Sequence, residues 1–289
     1  MVPRWSGAAR RQEDGGPLGR GTRRSEPIGL SGDRASVLLG PTLPLGTLPT
    51  VSAHEDTGDV AAGQHPDPLA DAEYRLAVVD LLGALAYGEL TAFERLADDA
   101  SFAPTLGDKA ALAAMAVAEY NHFALLRERL VAIGASPEDA MEPFIAALEA
   151  FHERTAPGDW LEGLVKAYVG DGIAEDFYRE VSAYLDDSTR DLVLSVLEDT
   201  GHSTFAVERV RAAIEADPRL AGRLALWGRR LVGEALSQAQ RVAAERDALA
   251  SLLVGGITQR GADLAEVGRM FARLTENHTK RMASLGLSA

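Results

Sequence analysis

From about Pro66 to the end of the chain, apolar residues recur every three or four positions, and Ala, Leu, Glu and Arg dominate. That period marks amphipathic helices built from strong helix formers. The pattern predicts a first helix over 68–99. A second spans 106–133, closed by Gly134 ahead of Ser136-Pro137. A connecting helix follows over 137–154, with Phe144, Leu148 and Phe151 on one side. Gly158-Asp159 opens a third bundle helix that ends near 185. Ser188 caps a fourth, which runs continuously to about 215. Asp217-Pro218 starts a long fifth helix reaching 254, where Gly255-Gly256 breaks it. The last helix covers 262–285, with Leu264, Val267, Met270, Phe271 and Leu274 as its apolar side. No segment alternates as a strand does, so the fold class is all-α, a bundle of long helices that can enclose a site between facing elements.

Residues 1–65 break this pattern. They are rich in Gly, Pro, Ser and Arg and keep no period, which reads as a disordered N-terminal tail. Residues 66–289 form the folded domain. Residues 1–60 hold seven basic and seven acidic residues, so the net charge of -14 belongs to the later 22 basic and 36 acidic ones. A generic nucleic-acid coat needs the opposite balance. The N-terminus has arginines but no apolar run, and no stretch reads as a membrane span, so the expected compartment is the cytoplasm. The chain has no cysteine and six histidines. Thiolate zinc sites, thiolate-bound clusters and catalytic thiols are thereby excluded, and a metal site has to be carboxylate and imidazole.

Charged residues then stand out on stripes that should be apolar. The second helix presents Met115, Glu119, His122 and Leu126 on one face. The fourth presents Leu192, Ser195, Asp199, His202 and Ala206. Burying such groups without partners costs several kcal/mol, roughly. The two segments repeat: Glu119-Tyr120-Asn121-His122 maps onto Asp199-Thr200-Gly201-His202 at an offset of 80, and Glu128-Arg129-Leu130 onto Glu208-Arg209-Val210. The first helix carries Glu89 among Leu82, Leu85, Phe93 and Leu96. The third carries both Asp171 and Glu175 among Leu164, Tyr168 and Tyr178. Glu89 precedes Glu119 by 30 positions; Asp171 precedes Asp199 by 28 and Glu175 by 24, so the repeat favours Asp171 with Glu175 as its alternative.

One acid from each of two helices, with an acid-x-x-His from each of the other two, is the donor set of carboxylate-bridged dinuclear sites in ferritin-like four-helix bundles. Oxygen with imidazole suits iron or manganese. The motifs Ala86-Tyr87-Gly88-Glu89, Ala118-Glu119-Tyr120-Asn121-His122, Tyr168-Val169-Gly170-Asp171-Gly172 and Glu198-Asp199-Thr200-Gly201-His202 resemble those of the ferritin-like tRNA hydroxylases of the MiaE type, in particular the actinobacterial MiaE-like branch. The resemblance covers roughly 71–214. It implies a ferritin-like four-helix bundle with a connecting helix and extra C-terminal helices. It also implies a di-iron monooxygenase that hydroxylates an unactivated C–H bond, in that family on the isopentenyl group of a modified adenosine in tRNA. The implied ligands are Glu89, Glu119, His122, Asp171, Asp199 and His202, for two iron ions, with manganese as the other metal. Dioxygen and an electron donor would be its partners; the resemblance implies tRNA as substrate, which the net charge does not support. No membrane partner is expected from the sequence, and there is room for a homodimer. Two Asp residues stand where the family pattern has Glu. Gly172 and Gly201 could restore reach by letting helices approach.

A non-catalytic bundle, holding a structural ion or a hydrogen-bonded acid/His network, is the other reading of the same residues. His152 and the Arg127, Arg129 and Arg209 side chains are expected at the surface. Tyr87, Tyr120, Tyr168 and Tyr178 are expected in the core.

Overall fold

The structure, a computed structural model, describes residues 67–197, 202–254 and 264–289. The expected tail over 1–65 and the Gly255-Gly256 break lie outside these residues. Among the described residues every regular element is helical. After a 3-10 turn at Pro68–Ala70, α1 runs Ala72–Asp99 and α2 Leu106–Ala132. The connecting helix α3 is Pro137–Arg154, followed by α4 at Trp160–Ser182. Then come α5 (Asp187–Val196), α6 (His202–Ala216), α7 (Leu220–Glu245), α8 (Asp247–Val254) and α9 (Leu264–Ser284). The architecture is an all-α four-helix bundle of α1, α2, α4 and the α5–α6 segment, with α3 as connecting helix and α7–α9 as C-terminal additions.

Side-chain caps fix the starts of the helices and so the phase of each buried stripe. Asp71 accepts from the Glu73 and Tyr74 amides. Thr105, Ser136 and Asp159 cap α2, α3 and α4 in the same way. Gly134, at φ 74°, closes α2 in a left-handed conformation that a β-carbon disfavours.

Four expectations are corrected. The fourth helix is not continuous: α5 ends at Val196, and residues 198–201 are outside the described set. Asp199-Thr200-Gly201, three poor helix formers in a row, are the sequence reason for that end. Its cap is Asp186, which accepts from the Thr189 amide, rather than Ser188. The long fifth helix breaks at Arg246, which leaves helical geometry (φ -126°, ψ 81°). Its guanidinium pairs with the buried Asp80 of α1, Nε donating to Oδ2 at 3.0 Å. Finally, an 18-residue window within Ala72–Phe102 has a mean hydropathy of 1.5, enough by length and composition to cross a bilayer. Of that window 56% is buried, because α1 packs against α2, α3 and α8 at once. A central helix needs apolar residues on most of its sides.

Two apolar clusters form the core. One gathers Leu81, Leu82, Leu85, Phe144 and Leu249. The other gathers Leu96, Leu112, Met115, Leu164 and Leu224.

Candidate metal centre

A cavity of about 520 Å³ opens between the two clusters. Glu89 of α1, Glu119 and His122 of α2, and both Asp171 and Glu175 of α4 line it. Glu119 is only 8% exposed. His122 Nδ1 lies 3.4 Å from Glu89 Oε2 and 3.6 Å from Glu119 Oε2. One ligand atom from each of these three residues falls within 4.8 Å of the others. The stripe phases explain the convergence: Leu82, Leu85 and Leu96 bury beside Glu89, and Met115 and Leu126 beside Glu119 and His122.

The electrostatics are those of crowded, desolvated acids. Burial pushes Glu89 up to about 8, with Glu119 adding to the rise and His122 opposing it. Asp171 is held well above the usual carboxylate range by burial and by the charges of Glu119, Glu89 and Glu175; Lys166 pulls the other way. Hydrogen bonding to Glu119 and Glu89 raises His122 to about 10, against its desolvation. Burial also raises the Tyr178 hydroxyl beside Glu89. Glu89 Oε2 is buried and makes no well-formed hydrogen bond: its contact with His122 Nδ1, at 3.4 Å, is long. A buried carboxylate oxygen so weakly paired is costly, and a cation removes that cost. The oxygen-plus-imidazole donors therefore fit a hard or borderline divalent ion such as iron or manganese.

The six expected ligands fare differently. Glu89, Glu119 and His122 come together. Asp171 and its alternative Glu175 share the cavity with them, outside the close triad. Asp199 and the side chain of His202 lie outside the described residues, although Ser203 and Ala206 of α6 line the cavity. Gly172 does not serve helix approach at the acids: a β-carbon there would meet Arg281 Nε at 2.1 Å. Arg281 Nη2 donates to the Gly172 carbonyl at 2.8 Å and to Asp176 Oδ2 at 2.7 Å.

Other expectations are overturned. His152 is not a surface group: it lines the cavity, and its Nδ1 is buried without a partner. It stands one turn beyond Leu148, a position that already placed it on the apolar side of α3. Arg209 is exposed as expected, and its Nε donates to the buried Asp108 at 2.7 Å, tying α6 to the start of α2. Tyr120 is 47% exposed rather than in the core. Lys166 lines the cavity and carried no sequence signal, because it lies off the apolar stripe of α4.

A family model described as "Ferritin-like domain, actinomycetes" matches residues 72–256. The chain belongs to this family. The ferritin-like match takes in Glu89, Glu119, His122, Asp171, Glu175, Asp199 and His202, and ends before α9. A solved structure, Protein 19 with aldehyde deformylating oxidase activity from Synechococcus, shares the fold with a TM-score of 0.59. The two sequences are 19% identical, and the alignment covers 76% of this chain and 94% of that one. No curated protein matches the sequence significantly.

Proposed function

We propose that this ferritin-like protein is a non-haem di-iron oxygenase that hydroxylates an unactivated C–H bond of a substrate bound in the apolar cavity. The observation that carries this reading is the convergence of Glu89, Glu119 and His122 within 4.8 Å of one another, with Glu89 Oε2 buried and only weakly paired to His122. Asp171 or Glu175 of α4, with Asp199 and His202, would complete the ligand set. Two ferrous ions, when bound, would supply the two electrons by which dioxygen, taking up two protons, gives one oxygen atom to a C–H bond and the other to water. The chain supplies the enclosure: Leu85, Phe144, Leu148 and Ile173 offer an apolar wall that excludes water from the reacting carbon. The oxidase activity of the Synechococcus neighbour and the resemblance to MiaE-type hydroxylases support the same reading. Dioxygen and an electron donor are its required partners.

For the substrate we favour a small aliphatic molecule over the tRNA of the MiaE type. The described cavity suits a small ligand, and the charge of residues 61–289 opposes phosphate binding.

Anaerobic loading with ferrous iron followed by metal analysis tests the centre. The wild type should hold about two ions per chain, as a dinuclear site requires. Glu119→Ala and His122→Ala should hold at most half as much. Variants that bind as much iron as wild type remove the assignment. A wild type that takes up neither iron nor manganese leaves the hydrogen-bonded acid/His network as the reading. Filter binding of total tRNA across salt tests the substrate preference, and salt-sensitive binding would reverse it.

A further inference from the structure

The cavity has a second polar region, away from the acids. Lys166 of α4 is only 7% exposed yet lines the cavity, its Nζ 5.5 Å from the centre of the Phe151 ring. Arg95 of α1 and His152 of α3 line the same cavity. Arg95 Nε and His152 Nδ1 are both buried with no hydrogen-bond partner. Two acids stand nearby. Glu149 Oε2 lies 3.6 Å from Arg95 Nη2, and Glu149 also accepts from the Tyr87 hydroxyl at 3.0 Å. Asp99 packs on Gly163 and feels the charge of Lys166.

These pairings set the direction of the two helices. Asp99 meets Gly163, Arg95 feels Lys166, and Glu89 feels Asp171, so α1 and α4 run antiparallel along the cavity. Arg95 lies six positions after Glu89, and Lys166 five before Asp171. At the rise of an α-helix both cations are displaced about 7.5–9 Å from the acids, toward the same end.

A buried guanidinium nitrogen without an acceptor, beside a lysine that is itself 7% exposed, is costly in an apolar setting. Burial and the Arg95 charge lower Lys166 to about 8, with Asp99 opposing, which still leaves it largely cationic at neutral pH. Asp99 and Glu149 offset the charge of the two cations, so what the place offers a singly charged anion is hydrogen-bond donors, the Arg95 Nε above all. Between the two polar regions the cavity lining is mostly small and apolar, with Ala92 of α1 and Ala167 and Gly170 of α4, and Leu148 and Phe151 of α3 beside them.

We propose that Lys166 and Arg95 form an anion subsite that holds the carboxylate of a medium-chain aliphatic acid, with the alkyl chain directed toward Glu89 and Glu119. The offset of about 7.5–9 Å given by that helix rise is spanned by about six or seven carbons of an extended alkyl chain, which advances roughly 1.25 Å per carbon. His152 Nδ1 is the neighbouring polar atom still without a partner. The carboxylate is thus anchored away from the proposed metal centre and the far end of the chain is presented to it. The fate of the chain rests on the oxygenase reading; the binding does not.

Titration calorimetry of the metal-free full-length protein at neutral pH tests this, with octanoate, octanol and octyl phosphate as probes. Octanoate should bind roughly tenfold or more tightly than octanol, the usual worth of a charge-assisted hydrogen bond. Lys166→Met and Arg95→Gln should each remove that preference, leave octanol binding unchanged and keep wild-type iron uptake. Lys166→Arg should restore much of the octanoate affinity, which a purely structural lysine would not do. Equal binding of octanoate and octanol, an unchanged Lys166→Met variant, or a preference for octyl phosphate overturns the subsite. Octanoate binding through Lys166 in a protein that takes up no iron supports the subsite and removes only the oxygenase reading.

Discussion

His152 shows how much one buried side chain can reveal. Burial first, and the charges of Lys166 and Arg95 after it, push its imidazole down to about 3. The folded chain therefore keeps it neutral, while the unfolded chain protonates it below about pH 6.5. Between those values the unfolded state binds more protons, so stability falls as pH drops through that window, by at most about 1.4 kcal/mol per pH unit. His152→Phe should flatten thermal denaturation midpoints between about pH 6.5 and 4.5 relative to wild type; parallel curves would show that the imidazole does titrate in the folded protein. Position by position, the sequence exposed the acids more readily than the bases. Glu89, Glu119 and His122 interrupt apolar stripes, and an intruder on a stripe is visible without a structure. Lys166 interrupts nothing, because it lies off the stripe of its helix, and only the approach of α1 and α3 makes it a cavity residue. Asp171 and Glu175 share one stripe, and both line the cavity, so the structure keeps the choice that the repeat spacing had weighted toward Asp171.

The helices themselves were legible where propensity, caps and period agree. The bounds of α3 coincide with the predicted 137–154, and α2 ends at the glycine that its sequence offers as a stop. The breaks at Leu197 and Arg246 were missed because each continues an apolar period. At Arg246 the interruption is set by a distant partner, the buried Asp80, which no local pattern encodes. Glycines carry similar long-range information. A β-carbon on Gly83 would sit 2.1 Å from the Ala140 carbonyl oxygen, backbone that cannot move aside, so α1 and α3 cross there in direct contact. Gly83→Ala should cost about 3 kcal/mol and lower Tm by roughly 6–12 °C. Gly233 of α7 is exposed with nothing near its β-carbon position, and Gly233→Ala should instead raise Tm by about 2–4 °C. Calorimetry on the two variants separates packing from propensity; equal shifts would mean that the crossing is looser than the backbone distance indicates.

Taken together, the helices build two apolar clusters rather than one, and the fold class was legible because helix period alone suffices for it. The cavity was not, since it depends on which faces of α1, α3, α4 and α7 oppose one another. Leu85 and Phe144 from one cluster and Leu96 and Met115 from the other border the same hollow of about 520 Å³. That hollow has a mechanical consequence. Unfolding eliminates internal void, so the unfolded chain in water occupies less volume than the folded one, and hydrostatic compression drives the protein toward it. High-pressure fluorescence on the ligand-free protein should give an unfolding volume near the large end of the usual range, about -100 mL/mol. A value near -20 mL/mol would mean that water already fills the space between the two clusters.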